Sequence, residues 1–238
     1  MKKFRHYYTV FNRMKRSRGF GIHSPFAFNF ILRVLRERNH YYAYTAIKRR
    51  RKKAYSLSGS IKGDHPKVIS SRNAKLLFRI ACYFTPEHIL QIGATYGVST
   101  SAILDVSSAS RVTLDPCENP YADIFAEITE EYKSRIKQFD DSAKAIDYYL
   151  NMCEDKRPFV LINKFRPDDL ATIKDLLTLT LDKDGVVIIR NLAINPETAQ
   201  LWKEYRPMMT FGMSFCNDYT AVIVGLRHLP LQHHNIFF

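Results

Sequence analysis

No run of apolar residues in this chain approaches the roughly 18–20 needed to cross a bilayer, so a membrane-spanning helix is not expected. Residues 1–18 are basic but lack an apolar core and a small-residue cleavage site, so they do not read as a secretory signal. The four cysteines, Cys82, Cys117, Cys153 and Cys216, stand far apart and form no CxxC. That argues against a zinc site or a disulfide framework and for ordinary thiols, with a cytoplasmic location expected. There is no internal repeat and no low-complexity tract beyond one basic run. Acids are almost missing from the first quarter: residues 1–62 hold 17 of the 36 Lys/Arg but one of the 23 acids, Glu37.

That segment therefore carries +16 and leaves −3 for the other residues, which recovers the net +13 of the chain. The densest stretch is Lys48-Arg49-Arg50-Arg51-Lys52-Lys53. Such a segment suits an anionic partner, either nucleic acid or lipid headgroups. It equally suits a basic face whose counter-charge is the acidic remainder of the same protein. Tyr41, Tyr42, Tyr44 and Tyr55 can stack on bases or pack the helices together. An aromatic-rich helical segment also fits a partner subunit, so a homodimer is a further expectation.

Tyr7, Val10, Phe11 and Met14 recur at helical spacing, and Arg18-Gly19-Phe20-Gly21 interrupts them. Ser24-Pro25 reads as an N-cap with proline in the first helical position, followed by the stripe Phe26, Phe30, Ile31, Val34 and Leu35. Another helix is expected over 41–53, a linker over 56–66, and a helix over 68–84. Beyond residue 88, short apolar runs alternate with helical stretches, as in βαβ units. Strands are expected at 88–92, 111–115, 135–139, 159–162 and 185–190, then a hairpin of 209–215 with 220–225. Five βα steps followed by an antiparallel hairpin predict an α/β, Rossmann-like sheet of seven strands whose last strand is antiparallel. The organisation expected is a basic helical extension over 1–62, an α/β domain over 63–228 and a tail over 229–238.

The strongest motif is Leu90-Gln-Ile-Gly-Ala-Thr-Tyr-Gly-Val-Ser-Thr100, placed where a strand gives way to a helix. Gly93 and Gly97 can let a ligand approach the backbone or allow close packing, and a helix N-terminus there suits a carboxylate. Asp115 ends the second strand about 20 residues further on, where an acid can accept ribose hydroxyls or simply open a turn with Pro116.

This stretch resembles motif I of class I S-adenosylmethionine (SAM) methyltransferases, close to the L-E-I-G-T-x-x-G-x-S-T of small-molecule O-methyltransferases, with Gln91 in place of the acid. Arg18-Gly-Phe-Gly-Ile-His-Ser-Pro-Phe-Ala-Phe28 also resembles the opening of a group of methyltransferase-like proteins of Bacteroidetes. The resemblance implies SAM as cofactor, held by Gln91, Gly93, Ala94, Thr95, Gly97 and Asp115, with Asp141 and Ser142 near the adenine. Metal-dependent relatives carry an Asp after strand four and an Asp-Asn pair after strand five. Here those positions are Asn163, Arg190 and Asn191, and no metal is expected, because a hard divalent cation wants carboxylates. Arg166 stands where a Lys or His often assists proton removal, and it stays protonated. His23 in the glycine-rich turn, Asn163 and Arg166 remain catalytic candidates, with Tyr96 a candidate for lining the pocket. The function expected is metal-independent methyl transfer to a small molecule or a nucleic acid. The alternative is an inactive descendant of the fold that binds a partner through its basic segment.

Overall fold

Runs such as Phe159–Ile162 and Val186–Arg190 have no polar alternation, and a strand made from them must be covered on both faces. The computed structural model, which describes residues 10–61, 63, 65–154 and 156–238, covers them in that way. Five strands, β1 (His88–Ile92), β2 (Arg111–Asp115), β3 (Ile136–Gln138), β4 (Phe159–Ile162) and β5 (Val186–Arg190), lie parallel. The hairpin of β6 (Met213–Cys216) and β7 (Thr220–Val224) follows, with β7 antiparallel to β5. An added strand, β8 (Gln232–Asn235), runs parallel to β6 and gives the order β3-β2-β1-β4-β5-β7-β6-β8.

The sheet thus has eight strands rather than seven, and the last is parallel to its neighbour. The polar Gln-His-His-Asn of residues 232–235 reads as a tail by composition. Pairing with an open sheet edge uses backbone groups, which any side chains can accompany. Ser214 Oγ meets His233 Nδ1 at 2.7 Å, and Ile236 and Phe238 are buried behind the strand.

Helices cover both faces. The described start of the chain is helical over residues 10–16 (α1). Then come α2 (Pro25–Phe30), continued by a π-helical turn over Ile31–Leu35, α3 (Ala43–Ser58) and α4 (Ser71–Phe84). The helices between strands are α5 (Val98–Leu104), α6 (Ala122–Thr129), α7 (Ser142–Met152), α8 (Leu170–Asp182) and α9 (Pro196–Tyr205). Ser24 caps α2 as expected, its Oγ accepting from Ala27 N at 3.3 Å. Period-two alternation sorts the strands. Ile89, Leu161 and Ile188 face Phe30, Leu35 and Ile80 of α2 and α4, while Leu90, Val160 and Val187 face Tyr149, Ile173 and Leu201 of α7, α8 and α9. Each fully buried side chain of this size contributes about 1.5–3 kcal/mol, so residues 27–35 are part of the core.

Arg79 joins these layers: its Nε and Nη2 donate to the carbonyls of Val34 and Leu35 at 2.6 and 2.9 Å. It satisfies helix-end acceptors that would otherwise be buried without a partner. Part of the basic run is likewise turned inward. Arg50 pairs with Asp105 at 2.7 Å and with Glu131, Arg51 Nε donates to Ile69 O at 2.6 Å, and Lys53 meets Glu127 at 2.9 Å. Burial depresses the Arg50 pKa, but Asp105 and Glu131 outweigh it and the net shift is upward. Lys48, Arg49 and Lys52 are exposed. Tyr41, Tyr42 and Tyr44 all meet Phe78 edge-on, although Tyr42, like Tyr55, is mostly exposed. Tyr7 and Lys62 lie outside the described residues. No described helix is long and apolar enough to cross a membrane.

Candidate functional site

The strand order reverses between β1 and β4, whose outgoing connections turn to opposite sides. Open α/β sheets bind ligands at that crevice. A cavity of about 470 Å³ lies there, within the range of small-molecule sites. Its floor is the turn Thr95-Tyr96-Gly97 and the ends of β4 and β5, at Asn163, Arg190 and Asn191. Its outer wall comes from residues 66–73, which Tyr96 holds in place by donating its hydroxyl to Pro66 O at 2.8 Å.

The turn is built from behind. Gln91 is fully buried, donates from Nε2 to Gly93 O at 3.1 Å and accepts from Thr100 Oγ1 at 2.9 Å. It braces the turn from within the motif loop and does not line the cavity, whereas the resemblance implies a place among the residues that hold the cofactor. Gly93 and Gly97 have φ of +81° and +80°, which L side chains rarely adopt. A Cβ on Gly93 would stand 2.6–2.7 Å from Lys164 atoms, and one on Gly97 2.7 Å from Thr129 Cγ2. Close packing therefore accounts for both glycines. Ala94 is buried, with its N–H donating to Pro116 O at 3.2 Å. Thr95, Tyr96 and Gly97 face the cavity; Gln91, Gly93 and Ala94 stand behind it.

Asp115 lies on the other side of the turn and is fully buried. Arg166 spans its carboxylate, Nη1 to Oδ2 at 2.9 Å and Nη2 to Oδ1 at 3.3 Å. Cys117 N donates to Oδ1 at 2.9 Å. Ser142 Oγ lies 2.5 Å from Asp115 Oδ2 and 2.7 Å from Asp169 Oδ2. Its single proton serves one of them, while Arg166 Nη1 donates to the hydroxyl at 3.1 Å. Burial alone raises the Asp115 pKa, but Arg166, Ser142 and the Cys117 N–H more than offset it and the net shift is downward. Burial, with Asp115 adding to it, pushes the Cys117 thiol up to about 12, so this thiol is no nucleophile at neutral pH. Asp141 is exposed and caps α7, accepting from Lys144 N at 3.0 Å.

Asn163 links the ends of three strands. Its Nδ2 donates to Gly93 O at 2.8 Å and its Oδ1 accepts from Arg190 Nη1 at 2.7 Å, while Asn191 Nδ2 donates to Asn163 O at 2.9 Å. Two amides and a guanidinium do not fit a hard divalent cation. Among the described residues no three His, Cys, Asp or Glu side chains converge as a metal site. Arg190 is buried and has no carboxylate partner among the described residues, and burial lowers its pKa to about 10. Arg166 is the reverse case: Asp115 raises its pKa.

His23 is exposed and does not line the cavity. Its neighbour Ser24 starts α2, which packs on β6 through Phe30 and Phe215, ring centroids 5.0 Å apart. That carries His23 to the β6 side of the sheet, away from the turn. The sequence reading missed the wall at 66–73 and the contributions of Ile194 and Tyr219. The one local signal was the apolar pair Val68-Ile69 immediately before the Ser70 cap of α4.

No family model matches the chain, and no curated protein matches it in sequence. Solved structures do. It is 16% identical to the O-methyltransferase TomG of Streptomyces achromogenes, involved in tomaymycin synthesis and solved with SAM; the match covers 78% of this chain and 91% of that one, with a TM-score of 0.53. To an O-methyltransferase of Bacillus cereus in complex with SAH it is 16% identical over 82% of this chain and 96% of that one, TM-score 0.54. To the SAH-bound methyltransferase PaMTH1 of Podospora anserina it is 12% identical over 79% and 98%, TM-score 0.53. The sheet and its flanking helices are therefore arranged in the Rossmann-like fold of these solved structures.

Proposed function

We propose that the protein is a SAM-dependent methyltransferase acting without a divalent cation on a small molecule held in the cavity beside Thr95, Tyr96 and Gly97. The observation that carries this reading is the cavity itself, at the carboxyl ends of β1, β4 and β5 and against the turn that resembles motif I. Bound SAM supplies an activated methyl group, so the protein's task is mainly to align an acceptor and exclude water. Thr95 and Gly97 would hold its methionine end and Asp115 its ribose. The methionine end fits the cavity as it stands. The ribose end fits once Arg166 leaves Asp115, and the Arg166 side chain, 29% exposed, has solvent to move into. Asn163, Arg190 and Asn191 position the acceptor in place of a metal. In this reading residues 63–228 carry the site. Within the basic segment 1–62, the described residues 10–61 form a helical cover whose exposed Lys48, Arg49 and Lys52 are left for an anionic partner.

A second reading, the fold kept for binding alone, is favoured by one observation: Asp115 is already engaged by Arg166, Ser142 and Cys117. Isothermal titration with SAM and S-adenosylhomocysteine separates the two. The wild type should bind both, Asp115→Ala should lose binding, and Arg166→Ala should bind roughly tenfold tighter, because the competing guanidinium is gone. If neither the wild type nor Arg166→Ala binds at millimolar ligand, the methyltransferase reading fails and the binding-only reading stands.

A further inference from the structure

The cavity combines three features. A guanidinium lies at its floor, more than nine-tenths buried, with one protein hydrogen bond, to Asn163, and no carboxylate partner among the described residues. A second cation, Lys67, sits exposed at the rim. Among the described residues no aspartate, glutamate or histidine lines the cavity. Buried charges are normally paired. Elsewhere in this protein they are: Arg50 has Asp105, Arg79 has the carbonyls of Val34 and Leu35, and Asp115 has Arg166. Among these described groups Arg190 has the fewest partners, one amide oxygen, and it is the one that opens onto the cavity. Val68, Ile69, Val98 and Ile194 supply an apolar wall beside it.

We infer that Arg190 is the anchor of an anion site, and that the acceptor is a small molecule carrying a carboxylate or phosphate on an apolar body. The guanidinium offers a planar fork of donors suited to either oxyanion. An acceptor that arrives ionised also accords with the lining: among the described lining residues there is no histidine or carboxylate to remove a proton, and the Tyr96 phenol, its pKa raised by burial, already donates to Pro66 O. The word acceptor rests on the methyl-transfer reading; the anion site does not.

The test uses the full chain and four probes of one shape: benzoate, phenyl phosphate, neutral benzamide and cationic benzylamine. Binding is followed by titration calorimetry and by amide chemical shifts around residues 95–99. Benzoate, phenyl phosphate or both should bind, with benzamide and benzylamine weaker by roughly tenfold or more. Whichever anion binds better identifies the group. Arg190→Gln should bring the anions down to the level of benzamide, and Arg190→Lys should restore part of the difference. Benzamide binding as well as benzoate in the unmodified protein would overturn the inference without recourse to any variant. So would failure of both anions at millimolar concentration. The panel is repeated with S-adenosylhomocysteine present. Joint binding supports an anionic acceptor beside the cofactor; mutual exclusion would assign Arg190 to the cofactor's own carboxylate and overturn the acceptor assignment. If S-adenosylhomocysteine never binds while benzoate does, the methyl-transfer reading falls and the anion site survives.

Discussion

Two arginines at the mouth of the same sheet have opposite surroundings. Arg166 follows β4 and holds a fully buried carboxylate, so that Asp115, Ser142 and Arg166 satisfy one another. Arg190 ends β5, is more deeply buried, and among the described residues has only the amide oxygen of Asn163. A pair that close needs nothing from outside, whereas a buried cation without an acid is a vacancy with a defined charge. One half of the crevice is therefore shut by the protein's own charges and the other half is open and cationic. The same fold at the same strand ends can close a subsite or prepare one, depending on whether an arginine is given a partner.

The largest effect is expected at the hinge between the two halves. Gly93→Ala would place a methyl group 2.6–2.7 Å from the Lys164 backbone at a φ of +81°. Left-handed strain and overpacking together should cost about 2–5 kcal/mol, read as a lower urea midpoint. A loss of only a few tenths would mean that Lys164 moves freely and that Gly93 is available to a ligand after all. Next comes the closed half. Arg166→Ala leaves a fully buried carboxylate without its cation, whereas Asp115→Ala leaves an arginine that already reaches solvent. After a discount for that exposure, the first should cost about 1–3 kcal/mol and exceed the second. The reverse order in thermal unfolding would show that the pair is held for Arg166 and not for Asp115.

Much of the fold was legible because its signals are local. Phe159–Ile162 and Val186–Arg190 read as doubly covered strands from their apolar continuity alone, and Ser24-Pro25 read as a helix start from capping chemistry. Strand β8 was not legible, because an edge strand of Gln-His-His-Asn is chosen by the open backbone of β6, which no pattern in residues 232–235 announces. The site divides the same way. Spacing located the turn and Asp115, but not what faces them: the partner of Asp115 comes from Arg166, 51 residues later, and the cavity wall from a hydroxyl contact between Tyr96 and Pro66. Gln91 was placed by analogy at the ligand, and its hydrogen bonds to Gly93 and Thr100 put it inside the turn instead. The unpaired state of Arg190 was beyond any sequence reading, since it depends on every acid that fails to reach it.

The open half predicts a gain. Arg190→Met replaces an unpaired buried cation with an apolar chain of similar reach, and should raise the stability of the ligand-free protein by about 1–2 kcal/mol. The same change should abolish stabilisation by benzoate. Destabilisation by Arg190→Met would mean that its bond to Asn163 outweighs the desolvation of the guanidinium, and the contrast with Arg166 would weaken.

The smallest effect is also the most discriminating, because it reads the two halves through pH. The folded Asp115 pKa lies below its unfolded value of about 3.9. The stability this carboxylate contributes is fully present above that pH and is lost as the pH falls through the lower, folded value. Urea midpoints of the wild type should therefore fall as the pH drops below about 4, by an amount that Asp115→Asn does not lose. Arg190 has no acid partner among the described residues, so Arg190→Met should follow the wild-type acid limb within error. A flattened limb in Arg190→Met would expose a carboxylate coupled to that arginine and join the two halves into a single charge network; parallel limbs would keep them separate, one closed by its own salt bridge and one waiting for an anion.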